Sequence, residues 1–323
     1  MEYSIQQYSD IYHSKWNDFI SKSKNGTFLF HRDFMEYHND RFEDYSLMVF
    51  KEDKVVAVLP AHKSGNSIYS HFGLSYGGLI YTEKAKLADI INIFRDILKY
   101  LHMNAFEKLY TKLIPSIYHK FAADEFGYVL FVAGAALTRR DSLAVIDQSN
   151  RLPFSTLRKR TIKKGKDNSY SIKEEFDFSP FWQEVLGPNL QKKHNADPVH
   201  TIEEITLLQQ RFPDNIKQFN VYKKNEIVAG TTVFVTDTVA HMQYISGKEA
   251  HNNLGALDFL YEYLINNFAH KRFFDLGISN ETQGTQLNEG LMFWKEGFGA
   301  RTITQDFYVV ETANFEKLDN VLI

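Results

Sequence analysis

The chain has 323 residues, 44% of them hydrophobic and 15% aromatic, a composition that supplies real cores and excludes a disordered chain. Its net charge of −3 and pI near 6.5 give no bulk argument for nucleic acid, so any phosphate binding must come from a local patch. It has no cysteine, which excludes disulfides, thiolate metal sites and a cysteine nucleophile and fits a reducing compartment.

The N-terminal stretch MEYSIQQYSDIYHSKWNDF has neither a basic n-region nor an apolar h-region, and no apolar run reaches membrane-spanning length. These features predict a soluble, cytoplasmic protein without membrane insertion. SDIYHSKWNDFISKS has helical spacing behind a Ser/Asp cap. A β-rich region follows: Tyr45–Phe50 as a strand, KEDK as a turn, VVAVLPAHK as a second strand, SGN as a turn and SIYSHFGL as a third strand. Lys86–Met103 reads as an amphipathic helix with Ile90, Ile93, Phe94, Ile97 and Leu101 on one face, and FEKLYTKLI as a buried strand.

The second half repeats this grammar. QFNVYKKNEIVAGTTVFVTDTVAHMQYISG predicts three strands turning at Lys224–Asn225 and Asp237; ALDFLYEYLINNFAHK predicts a helix and FFDLGI a short strand. Aligning the halves places Val56 on Val228, 172 residues later, about half the chain. A period this long points to a duplicated domain, since solenoid repeats are several-fold shorter. Between the halves, Arg151–Glu175 begins basic, ends acidic, and reads as a helix leading into the second domain. The expected domains are 1–150 and 151–323. The expected class is α/β (α+β), each domain a mixed, mostly antiparallel sheet flanked by helices.

Three stretches carry a resemblance to a known family. YISG with its following helix and FFDLGISNE resembles a strand–helix–(Y/F)DFGG segment; GLMFWKEGFGARTI is similar to an FK..FGG segment; TLRKRTIKKGK is a basic helix. With the repeat, these make nearly the whole chain resemble the FemAB-like branch of the GNAT acyltransferase fold, the peptidoglycan-bridge aminoacyltransferases and their relatives. No heptad run corresponds to the long helical arm of some members. At the helix start, where ordinary GNAT domains have (Q/R)-x-x-G-x-(G/A), this chain has Asn252-Asn253-Leu254-Gly255-Ala256-Leu257: the glycine is kept, the flanks are not.

The resemblance implies two GNAT-like domains with a groove between them, the first on the acceptor side and the second carrying donor and catalysis. Transfer is direct: an amine attacks an acyl carbonyl while the protein positions both substrates and stabilises an oxyanion. For the donor, a helix N-terminus beside a strand end offers N–H groups and a positive dipole to phosphate, with Gly247 and Gly255 permitting close approach; the other reading is an ordinary loop. Gln243, Tyr244, Ser246 and Asn253 complete the expected donor set.

Lys295 lies among Met292, Phe293, Trp294 and Phe298. The matching family lysine implies an electrostatic catalyst here; its alternative is an exposed lysine before Gly297. Asp275–Gly290 reads as a loop at a strand's end, dense in Asn, Gln, Thr and Glu and including Asn280, in which Asp275 and Glu281 serve either as proton acceptors or as turn and cap formers. Arg158 and Arg160, within the basic run Arg158–Lys166, suit phosphates of a nucleotide-linked acceptor or of a tRNA end; the alternative is a solvated face. His71 and Tyr76, before Gly77-Gly78, stand where the first domain's acceptor site is implied, although a lone strand histidine is more often structural. Gln191–His200 fits no zinc spacing, and no metal is expected.

Together these imply N-acyl transfer from acyl-CoA as co-substrate to an amine on a sugar-nucleotide or cell-envelope precursor. Two alternatives remain: an aminoacyl-tRNA-dependent transferase, and a non-catalytic binding protein on a duplicated fold. Oligomeric state is not readable from the sequence.

Overall fold

A computed structural model describes residues 3–323; of the side chain at 194, which falls in the Gln191–His200 stretch, nothing is described. The chain divides into two compact units. The first comprises the chain through Asp141 together with Thr282–Thr285 and Thr304–Ile323; the second comprises Ser142–Glu281 and Gln286–Ile303. The division expected at 150/151 therefore falls earlier, inside the strand Ala136–Asp147, and it is not a single cut. The C-terminal part of the strand Arg301–Glu311 pairs antiparallel with Lys108–Lys112, and Val310 and Leu318 are buried in the first core. Sequence reasoning does not identify this strand.

In the first unit, the strands Ser4–Gln7, Leu47–Lys51, Lys54–Leu59 and Ile80–Tyr81 form an antiparallel sheet in that spatial order. The helix Leu87–Met103 buries Ile90, Ile93, Phe94, Ile97 and Leu101, as its periodicity predicts, against a core that includes Leu47, Val49, Ala57 and Leu59. The second expected strand does not run through. It stops at Leu59 before Pro60, which has no N–H to continue the ladder, and His62–Ser64 pairs with Ser67–Tyr69 instead. That third strand ends at Tyr69, because His71 takes a left-handed φ of 46° and turns the chain.

In the second unit the order is Tyr170–Glu175, Ile216–Lys223, Glu226–Val235, Val239–Gly247, Phe273–Ile278, then Leu143 onward of Ala136–Asp147. Thr232 stands where the repeat places Pro60. Here the hairpin continues, with a bulge between Thr232 and Val233 that leaves Gln243 without a ladder partner. The helices Thr156–Asp167 and Ala256–Asn267 cover this sheet together with the core side chains Phe219, Val228, Leu260, Leu264 and Phe274.

Each unit contains one parallel strand pair of equal length. Ser67, Ile68 and Tyr69 face Lys108, Leu109 and Tyr110; Val239, Ala240 and His241 face Phe273, Phe274 and Asp275. The offset of 172 residues that aligns Val56 with Val228 also carries Ser67 to Val239, so the repeat read from the sequence is a repeat of topology.

The first unit holds three buried imidazoles close together: His38 and His71 at 5.1 Å between ring centroids, and His62 and His71 at 5.6 Å. Burial lowers His38 and His62 to about 4, aided by the positive charges of Arg41 and Lys112 respectively, and also holds His71 well below the ordinary imidazole range, with help from the other two histidines. All three stay neutral in the native state while the unfolded chain takes up protons near pH 6.5, so their contribution is full above that pH and lost as pH falls toward 4. Urea unfolding should weaken between pH 6.5 and 5, above the range of ordinary carboxylates, by up to roughly 1.4 kcal/mol per pH unit for each histidine. His62→Phe should flatten that slope; a pH-independent midpoint in this window contradicts the assignment.

Candidate active site

The parallel pair in the second unit sets the geometry. Val239–Gly247 pairs with Phe273–Ile278 only as far as His241 and Asp275, and beyond that point the strands part. Among the described residues no strand pairs with Met242–Gly247 on that side. Opposite, the ladder to Ala136–Asp147 is irregular between Asp275 and Ile278, where Gly277 adopts φ 72°. A parting of this kind strands backbone polar groups, which must find other partners.

Three side chains gather there. Lys295, on the helix Glu289–Glu296, is 2% exposed, and its Nζ donates to the Gly277 carbonyl at 3.0 Å and the Ile278 carbonyl at 2.6 Å. Asp275 is fully buried; its Oδ1 accepts from the Gly277 N–H at 2.7 Å and its Oδ2 lies 2.9 Å from His241 Nδ1. Burial lowers Lys295 to about 8 against the opposing pull of the Asp275 carboxylate. A buried lysine whose charge is weakened by desolvation, in the same neighbourhood as a buried carboxylate hydrogen-bonded to an imidazole, marks a candidate site. Sequence reasoning singled out Lys295 and Asp275 but not His241, whose only signal is a strand position opposite Asp275 that a single sequence does not reveal.

The expected donor residues are placed differently. Gln243 occupies the bulge, with its Oε1 buried and unpartnered. Tyr244 packs on Trp182 at 5.1 Å and its hydroxyl lies 2.5 Å from His200 Nδ1. Ser246 Oγ accepts from Asn189 at 2.7 Å, and the Gly247 carbonyl accepts from both Asn189 and Asn252, at 3.0 and 3.1 Å. Asn253 is exposed, its carbonyl accepting from Lys164. Ser246, Gly247 and Asn252 thus share one local hydrogen-bond network with Asn189.

Gly255 has a packing reason to be glycine. It sits at φ 84°, and a Cβ there would lie 2.2 Å from the Thr161 carbonyl oxygen; reciprocally, a Cβ on Gly165 would lie 2.6 Å from the Gly255 oxygen. Two glycines let the helices Thr156–Asp167 and Ala256–Asn267 touch backbone to backbone. Arg158 is buried in the same contact. Its Nη1 lies 2.7 Å from each oxygen of Asp258, which also accepts from Trp294 Nε1 at 2.7 Å and from the Thr161 hydroxyl. Arg158 is therefore engaged inside the unit instead of standing beside Arg160 for phosphate, while Arg160 is exposed. The pattern of the helix gives the reason: Arg158, Ile162 and Gly165 share its buried stripe.

The other expected residues make contacts of their own, none of those described being with Lys295. Glu281 is exposed and accepts from Asn288; Asn280 Oδ1 accepts from the Ser142 N–H at 2.6 Å. In the first unit, His71 belongs to the imidazole cluster, and Tyr76 is buried with its hydroxyl donating to Thr27 at 3.0 Å.

No protein-family model matches the sequence, and no curated protein matches it. Solved structures do. FemX is similar at 8% identity with a TM-score of 0.64, over 94% of this chain and 96% of that one. L-PGS from Bacillus licheniformis is similar at 9% identity and 0.56, over 83% and 84%. A tandem GNAT protein from the clavulanic acid biosynthesis pathway is similar at 10% identity and 0.52, over 96% and 99%. The chain has the FemX-like tandem GNAT fold; at such identities the likeness is one of fold.

Asp258→Asn leaves Arg158 as a buried, poorly paired cation and should cost about 3–5 kcal/mol in urea unfolding. Gly65→Ala, at a left-handed glycine with open space around it, should cost only about 1–2 kcal/mol. A cost for Asp258→Asn no larger than that of Gly65→Ala contradicts the buried pair.

Proposed function

We propose that the protein is an N-acyltransferase that moves an acyl group from acyl-CoA to the amine of a sugar-nucleotide or other cell-envelope precursor in the cytoplasm. One observation carries the reading: two parallel strands part after His241 and Asp275, and a buried lysine stands at the point of parting. Along Met242–Gly247 no strand pairs on the side of Phe273–Ile278 among the described residues, and such an edge suits a ligand with its own amide groups, which can continue the ladder as a strand would; the pantetheine arm of coenzyme A has two. The likeness to FemX and to a tandem GNAT protein supports acyl transfer as the general chemistry. Among the described residues, no helix is long and apolar enough to cross a membrane.

In this reading the acceptor nitrogen attacks the donor carbonyl and negative charge develops on its oxygen. Lys295 holds a cation in a site with little water, where a fixed charge acts strongly on that oxygen. Two of its N–H groups are spent on carbonyls that fix the ammonium in place. A second reading keeps the same site with an aminoacyl-tRNA ester as donor. It is favoured by the exposed Lys159, Arg160 and Lys163 on one helix, and it requires tRNA binding that weakens steeply with salt.

Coenzyme A and acetyl-CoA should raise the melting temperature by mass action, and coenzyme A release should be followed across a panel of amines. Because Lys295 is lowered to about 8, its charge is lost as pH rises through that value. Relative to Lys295→Arg, which stays charged, wild-type kcat should therefore decline above about pH 8, and Lys295→Met should lose roughly 10²–10³-fold at pH 7. A wild-type rate that instead climbs through pH 8 relative to Lys295→Arg shows the neutral amine at work and contradicts the electrostatic role.

A further inference from the structure

Resting on that reading, we infer that His241 is the general base of the transfer, held in its working tautomer by Asp275. The first argument is geometric. Asp275 Oδ2 lies 2.9 Å from His241 Nδ1, and Oδ1 is fixed by the Gly277 N–H at 2.7 Å. An ionised carboxylate only accepts, so the imidazole donates through Nδ1 and its basic lone pair is on Nε2. The His241 side chain keeps 17% of its surface exposed while Asp275 keeps none. The ring therefore faces outward from a buried anchor. No side chain at 277 covers the ring edge, where even a Cβ would lie 3.6 Å from Cε1.

The second argument comes from the repeat. Tyr69 and Tyr110 occupy the same paired positions in the first unit, and there the two rings stack at 4.7 Å with 7° between their planes. This topology is thus satisfied by two aromatic rings. The second unit instead buries a carboxylate completely, which costs several kcal/mol of desolvation that a hydrogen-bonded partner only offsets. The fold does not demand that arrangement, whereas a proton-transfer site does.

The third argument is placement. The pair is the last parallel register before the strands part, so His241 stands at the mouth of the open edge and Lys295 reaches the carbonyls two and three residues beyond Asp275. The step balances without a further reagent. The acceptor nitrogen forms the C–N bond as its proton passes to Nε2. The tetrahedral centre collapses, the C–S bond breaks, and the imidazolium returns that proton to the departing thiolate. Amine and thioester become amide and thiol.

The test uses the full chain. Nitrogen-15 spectra of labelled histidine, assigned by His241→Gln, should show His241 as the Nδ1–H tautomer at neutral pH, and Asp275→Asn should shift it toward Nε2–H. With acetyl-CoA as donor, ethanolamine needs deprotonation at neutral pH, whereas hydroxylamine is already neutral. His241→Gln should lose 10²–10⁴-fold in kcat toward ethanolamine with little change in KM for acetyl-CoA, and far less toward hydroxylamine. A His241→Gln variant that equals wild type toward ethanolamine overturns the base while leaving acyl transfer standing. An Nε2–H tautomer in wild type overturns the anchor. A wild-type protein that releases coenzyme A with neither amine removes the acyl-CoA reading, and this inference with it.

Discussion

Two parallel strands that hold register for three residues and then separate create the problem the rest of this unit answers. Past His241 and Asp275, the backbone polar groups that face the other strand of the pair lose it as a partner. On one strand they form an open edge. On the other, a glycine at positive φ and a break in the opposite ladder turn carbonyls inward, where the Lys295 ammonium takes two of them. A cation that is fixed by main-chain oxygens and largely stripped of water is a costly feature. The same cost pulls its pKa down and makes it responsive to charge developing nearby.

The helix that carries Lys295 is fastened by the neighbouring residue. Trp294 donates to Asp258, and Asp258 is clasped by Arg158 from the helix Thr156–Asp167. Gly255 and Gly165 allow those two helices to approach closely enough for the clasp. The basic helix thus acts on the site through an internal ion pair, while its exposed face keeps Lys159, Arg160 and Lys163 for solvent or ligand. The first unit solves the parallel-pair problem in other terms. Lys112, lowered to about 7 by burial, donates to the carbonyls of Phe72 and Leu74, and stacked tyrosines stand where the second unit has its histidine and aspartate. Duplication preserved the topology and let the chemistry diverge.

The periodic elements were legible in the sequence because burial patterns are local. The helix at Leu87–Met103 and the strand at Phe273–Ile278 follow directly from spacing, and the repeat follows from comparing the halves. Pairing was less legible. The strand Arg301–Glu311, part of which joins the first unit, was not read at all, and VVAVLPAHK hides a sheet break that only Pro60 announces. The site divided in the same way. Lys295 stood out as a charge among apolar neighbours and Asp275 as a carboxylate at the end of a strand, whereas His241 gains meaning only from a register 34 residues away in sequence. Arg158 and Gly255 were visible as residue types suited to phosphate, but both are engaged by partners about 100 residues distant or fewer, which composition does not disclose.

The open edge is the feature on which the functional account stands, and backbone amide exchange reads it directly. Exchange of Met242–Gly247 and of Gly277–Ser279 should be followed with and without saturating acetyl-CoA. The account predicts new protection concentrated in these two segments, as the donor completes the ladder that the parting strands leave unfinished. Protection confined to other segments, or none at saturating ligand, would contradict it.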